Sequence, residues 1–128
     1  MRPDAVVRAR DTVRRAALQA GLAGERIDDL VVAVSEACTN AMEAQLRAGS
    51  TSPIEVTCTA DGATFEVQVH DHGDGFEPST VARRPPLPDP HHLDVERGWG
   101  IELMRSLVDE LVFDVTGRGM CVRLRMSR

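Results

Sequence analysis

The stretch Ile54-Glu55-Val56-Thr57-Cys58-Thr59-Ala60-Asp61-Gly62-Ala63-Thr64-Phe65-Glu66-Val67-Gln68-Val69 decides the fold class. Ile54, Val56 and Cys58 alternate with polar neighbours, and so do Phe65, Val67 and Val69. A period of two is the mark of a half-buried strand. Asp61-Gly62 lies between the two runs and supplies the backbone freedom of a tight turn. The segment predicts a β-hairpin, so its strands are antiparallel.

Upstream the period changes. Val6, Ala9, Val13, Ala16, Ala17 and Ala20 recur at helical spacing, and Gly21 follows as a stop. A second helix is predicted from about Arg26 to Ala48. Its apolar stripe is Ile27, Leu30, Val31, Val34, Ala37, Cys38, Ala41 and Met42, with Gly49 closing it. Downstream, Arg83-Arg84-Pro85-Pro86-Leu87-Pro88-Asp89-Pro90-His91-His92 carries too many prolines for helix or central strand. Residues 77–96 therefore read as a long loop, of the kind that often serves as a lid. Ile101, Met104, Leu107, Val108 and Leu111 predict a third helix. Phe113 and Val115, then Val122, Leu124 and Met126, flank Thr116-Gly117-Arg118-Gly119 as a second hairpin.

The predicted order is α-α-β-β-loop-α-β-β. It implies an α+β two-layer sandwich, with helices covering one face of a mixed or antiparallel sheet. Without βαβ units a dinucleotide-binding parallel sheet is disfavoured. The 128 residues are read as a single domain, 1–128.

Composition excludes several classes. The net charge of −5 argues against a nucleic-acid binder, which needs a basic footprint. No apolar run approaches the roughly 18 residues of a membrane span, and Met1-Arg2-Pro3-Asp4 opens no secretory signal. A cytoplasmic protein is expected. All fifteen basic residues are Arg, so any ATP site must work without the Lys of a Walker loop. Cys38, Cys58 and Cys121 form no C-x-x-C pair, and each is expected to be a small core residue.

Three segments carry candidate chemistry. Glu36 and Asn40 stand four residues apart on the second helix, hence on one face. An amide oxygen suits a hard cation and a carboxylate suits a general base. The alternative is the solvated side of an amphipathic helix. His70-Asp71-His72-Gly73-Asp74-Gly75-Phe76 follows a strand, and its glycines allow backbone to approach a ligand closely. Asp71 there can accept a hydrogen bond from an exocyclic amine, although a plain turn explains the residues as well. His70 and His72 are expected to diverge, so no metal pair is predicted. Arg97-Gly98-Trp99-Gly100-Ile101 opens the third helix, where amide groups and dipole favour phosphate. Trp99 also reads as a core anchor.

Glu-x-x-x-Asn on a helix, Asp-x-Gly-x-Gly after a strand, a long loop and Gly-x-Gly opening a helix together resemble the GHKL, or Bergerat-fold, ATPases. Ser35-Glu36-Ala37-Cys38-Thr39-Asn40-Ala41, Asp71-His72-Gly73-Asp74-Gly75-Phe76 and the segment from Arg97 to Glu110 look like the boxes of the anti-sigma-factor serine kinases in that superfamily. The resemblance implies a histidine kinase-like ATPase domain using ATP and Mg²⁺. Glu36 would be the general base, and Asn40 would hold the metal. Asp71 would accept the adenine amino group, with Gly73 and Gly75 beside the base. Gly98, Trp99, Gly100 and Ile101 would contact nucleotide, with the two glycines giving N–H groups to the phosphates. Residues 77–96 would be the ATP lid. The implied partners are an anti-anti-sigma factor, phosphorylated on Ser, and a sigma factor, and the implied assembly is a homodimer.

This sequence departs from the pattern in three places. Ala44 replaces the usual His. Gly119-Met120-Cys121 lacks the usual hydroxyls. The strand that usually precedes the first helix has no counterpart before Arg2-Pro3-Asp4. The first two leave open a module of the same fold that binds nucleotide or partner without transferring phosphate. A histidine-kinase catalytic domain is a third reading, disfavoured by the short loop and the lack of a dimerisation helix pair.

Overall fold

The computed structural model describes residues 3–73, 96–117 and 119–128, with the side chains of Pro3, of residues 96–99 and of Thr116 outside that description. Two helices come first, α1 (Pro3–Gln19) and α2 (Gly24–Ala48). A hairpin follows, β1 (Glu55–Asp61) and β2 (Thr64–Asp71), then α3 (Glu96–Leu107), then a second hairpin, β3 (Glu110–Thr116) and β4 (Gly119–Ser127). The four strands form one antiparallel sheet in the order β1-β2-β4-β3. The expected α+β sandwich is thus present, and its sheet is antiparallel throughout.

Strand alternation builds the core. Phe65, Val67 and Val69 of β2 and Met120, Val122, Leu124 and Met126 of β4 are buried on one face of the sheet. That face packs against α2, which presents Leu30, Val31, Val34, Ala37, Cys38 and Ala41. Helix α2 lies between α1 and α3, which add Val13 and Ala17 on one side and Ile101 and Met104 on the other. At its end Gly49 takes the left-handed conformation (φ 67°) and returns its N–H to the last turn.

The opposite face of the sheet is polar. Glu66 accepts from Arg125 at 2.6 Å and faces Arg123 at 3.4 Å, while the two arginines also reach Glu110 and Asp114. Burial pushes the Glu66 carboxyl up, but the Arg125 and Gln68 hydrogen bonds and the two guanidinium charges outweigh it and hold the group below its ordinary value. A polar hollow of about 290 Å³ on this face is lined by Thr59, Asp61, Thr64, Glu66, Gln68 and Arg125.

Two expectations need correction. The third helix ends at Leu107, and Leu111 belongs to β3. Asp109 makes the break: its N–H bonds the Arg125 carbonyl, and its carboxylate accepts from the Ser127 N–H and from Arg26. Cys121 is not a core residue. It alternates onto the polar face with Arg123, whereas Cys38 is fully buried and Cys58 packs at the core's edge. Burial pushes the Cys38 thiol up to about 11, and those of Cys58 and Cys121 are also raised, so none is an activated thiolate.

Candidate functional site

The middle of α2 is rich in residues that usually avoid helix interiors. Ser35 donates its hydroxyl to the Val31 carbonyl at 2.9 Å, and Thr39 donates to the Ser35 carbonyl at 3.0 Å. These back-bonds absorb both hydroxyls within the helix. Glu36 and Asn40, one turn apart, form a separate half-buried stripe that continues to buried Ala44.

The opening of α3 lies on that stripe. A Cβ added to Gly100 would stand 3.1 Å from Glu36 Oε2 and 3.8 Å from both Asn40 amide atoms. Glycine is therefore what lets the backbone of α3 come down onto the carboxylate and amide. The helix starts at Glu96, one residue inside the expected loop. Gly98 consequently sits in the first turn, where a helix leaves amide N–H groups unused, and Gly100 in the second, where the ladder uses them. Ile101, 2 % exposed, points into the core beside Met104. The side chain of Trp99 lies outside the described residues.

The turn after β2 meets the same stripe one helical turn further along. Asp71 ends β2 on the core-facing side and is buried, in line with Phe65, Val67 and Val69. Its Oδ1 accepts the Gly73 N–H at 2.8 Å. A Cβ on Gly73 would lie 2.6 Å from the Ala44 carbonyl carbon and 2.7 Å from the Ala44 Cβ. The turn thus rests directly on α2, and a small residue at 44 is compatible with that approach. Gly75 and the loop at 77–95 lie outside the described residues.

Sequence reading missed two supports of this turn. Gln45, 5 % exposed, accepts the His72 N–H at 2.9 Å and donates to the Ser52 carbonyl at 2.7 Å. A glutamine in an apolar helical stripe was the available signal. Gly119 packs against the backbone of Asp71 and His72, where an added Cβ would overlap the Asp71 carbonyl oxygen and come within 2.9 Å of the His72 Cα. Met120 pairs with Asp71 in the sheet register and is buried, so no hydroxyl stands beside the carboxylate at that position.

The two histidines do not diverge. Two residues apart on an extended chain they share a side, and their rings lie 5.0 Å apart. Among the described residues no group of three or more His, Cys, Asp or Glu is arranged to hold a metal.

One stripe of α2 therefore gathers all three segments: Glu36 and Asn40 meet the opening of α3, and Ala44 and Gln45 meet the turn that carries Asp71. Residues 1–126 match the family of histidine kinase-like ATPase domains. The chain belongs to that family. Its relatives narrow the type. It is 34% identical over 113 residues to the serine-protein kinase RsbW of Bacillus licheniformis, covering 86% of this chain and 71% of the relative. RsbW of Bacillus subtilis (strain 168) is 32% identical over 112 residues, or 85% and 70% of the two chains. The anti-sigma F factor of Anoxybacillus flavithermus is 26% identical over 117 residues, or 91% and 80%. Within GHKL proteins the chain is thus of the anti-sigma serine-kinase type, a family that uses ATP. Among the described residues no helix is long and apolar enough to cross a membrane.

Proposed function

We propose that this chain binds Mg-ATP and transfers the γ-phosphoryl group to a serine of an anti-anti-sigma partner, and that it also binds a sigma factor. The observation that carries the reading is the close approach of Gly100 to Glu36 and Asn40, with the Asp71 turn resting one helical turn away on the same stripe.

The residues fit the ligand. Asp71 offers a buried carboxylate oxygen at the end of a strand, suited to an exocyclic amine. The first turn of α3 offers N–H groups and a dipole to phosphate. Asn40 offers a hard carbonyl oxygen, and a Mg²⁺ ion is ordinarily held by few protein ligands together with phosphates and water. Bound magnesium supplies charge neutralisation on the transferred group. Glu36, held under Gly100, accepts the proton of the attacking serine hydroxyl. The absence of Lys is no obstacle, because backbone donors and metal take the charge. A homodimer working in the cytoplasm belongs to this proposal by family resemblance.

Met120 beside Asp71 and Ala44 at the usual histidine position favour a second reading, a regulatory module that binds nucleotide or partner with little transfer. Incubation with Mg-[γ-³²P]ATP and an anti-anti-sigma protein separates the two. Label on a partner serine supports the kinase, and tight ATP binding without label supports the module.

A further inference from the structure

Gln45 and Asp71 are the two buried polar side chains of the described core. Burying an amide is costly unless both of its ends are bonded. Gln45 meets that condition in an unusual way, because neither bond serves its own helix. Its Nε2 donates to the carbonyl of Ser52, in the link that leads from α2 to β1. Its Oε1 accepts the N–H of His72, the residue directly after Asp71. The backbone carbonyl of Gln45 meanwhile accepts the Ser50 N–H and closes the helix. One side chain thus ties the end of α2 to the incoming link on one side and to the Asp71 turn on the other.

The strand side of the turn is held by β4, where Asp71 pairs with Met120 and Gly119 packs on the Asp71 and His72 backbone; its holds on α2 are few. Gly73 touches Ala44 without a side chain, and the Gly73 N–H bonds the Asp71 carboxylate itself. That internal bond fixes the shape of the turn but not its position over α2. Among the described residues, the hydrogen bond that ties the turn to α2 is the one to Gln45.

We infer that Gln45 is a positioning residue for base recognition: by holding the His72 N–H it sets the aim of the Asp71 carboxylate, and with it the preference for an adenine over a guanine nucleotide. The inference rests on the reading of Asp71 as the adenine acceptor. Adenine offers an amino group where guanine offers a carbonyl oxygen, so a displaced carboxylate loses attraction to one and repulsion from the other. Selectivity is then the more sensitive quantity, and phosphoryl-transfer geometry, set at the other end of the stripe by Glu36 and Gly100, is spared.

The test begins with calorimetric titration of wild type with Mg-ATP and Mg-GTP. Preference for ATP sustains the reading beneath the inference; binding of neither nucleotide overturns both. Gln45→Met then keeps the volume and removes both hydrogen bonds. Loss of one such bond predicts an ATP affinity lower by about threefold to tenfold, a matching fall in the ATP-to-GTP ratio, and a saturated turnover within about twofold of wild type. Amide exchange at His72 in the nucleotide-free protein is expected to accelerate. Val13→Ala, a core change in α1, controls for stability alone and should leave the ratio untouched. Gln45→Glu is the second variant, measured at pH 6. As the buried neutral acid it offers the same donor and acceptor, and it should hold the ratio near wild type. The inference is overturned if Gln45→Met lowers the melting temperature but keeps the ATP-to-GTP ratio, or if Gln45→Glu loses the ratio as completely as Gln45→Met.

Discussion

Replacing Gly73 by alanine asks whether the turn after β2 truly rests on α2. The new Cβ would meet the Ala44 carbonyl carbon at 2.6 Å and its oxygen and Cβ at 2.7 Å. Ordinary carbon contacts begin near 3.5 Å, so about 1 Å of separation must be found. Helix α2 cannot supply it, because Ala44 is 2 % exposed and its neighbours fill the core. The turn must retreat, and the 2.9 Å bond from the His72 N–H to Gln45 lengthens beyond use. Overpacking of this kind costs about 1–3 kcal/mol, and the lost hydrogen bond adds about 1 kcal/mol. A total near 3 kcal/mol corresponds to a melting temperature lower by about 10 °C for a chain of this length. Circular dichroism melts and a Mg-ATP titration are the assays, with affinity expected to fall alongside stability. Gly62→Ala is the control. Gly62 lies at φ 50° with nothing within 4 Å of an added Cβ, so it carries backbone strain alone and should leave ATP binding intact. If Gly73→Ala melts within 2 °C of wild type and binds ATP normally, the turn does not sit on α2 and the assembled site is refuted.

Three further outcomes are expected. Glu36→Gln keeps the contact under Gly100 and should leave Mg-ATP affinity unchanged while reducing phosphoryl transfer at least about 100-fold, in line with loss of a general base; transfer at the wild-type rate would put the base elsewhere. Asp71→Asn should weaken ATP more than GTP in competition titrations, and equal losses would argue against an adenine contact. The Asp109 carboxyl is held below its ordinary value by the Ser127 N–H and then by Arg26. Its stabilisation is therefore present above about pH 4 and is lost as pH falls through the lowered folded value. Asp109→Asn should accordingly flatten the acid limb of stability measured between pH 5 and pH 2, and an unchanged limb would remove Asp109 from acid unfolding.

Much of this fold was legible because each period had one interpretation. Phe65, Val67 and Val69 fit no helix, and Asp61-Gly62 permits no long connection, so the first hairpin followed from local chemistry. Leu111 was ambiguous. It stands four residues after Leu107, as a helix requires, and two before Phe113, as a strand requires. Its neighbour Asp109 decides the matter through bonds to Arg125 and Ser127, partners that come close only after β4 has paired. Cys121 misled for a related reason. Its flanks are apolar, but register with His70 turns it to the polar face. The site behaved similarly. The residue types at 36, 40 and 71 suggested the chemistry proposed for them, whereas Gln45 and Gly119 act on backbone atoms of Asp71 and His72, which no sequence pattern displays.

The departures from the family pattern take on a physical sense once α2 is seen as a ruler. Residues 36, 40 and 44 are spaced by four, so each step advances about 6 Å and turns only slightly about the axis. The opening of α3 comes down on the first two marks through Gly100, tight against Glu36 and in ordinary contact with Asn40, and the Asp71 turn on the third through Gly73, too close to Ala44 to carry a side chain. Position 44 therefore governs how deeply the turn can settle. With alanine there, Gly73 comes down to the helix backbone, and Gln45, one residue on and buried, holds the His72 N–H. The small residue at 44 is thus part of how the turn is seated. The seat is completed by an amide bonded to main chain at both ends.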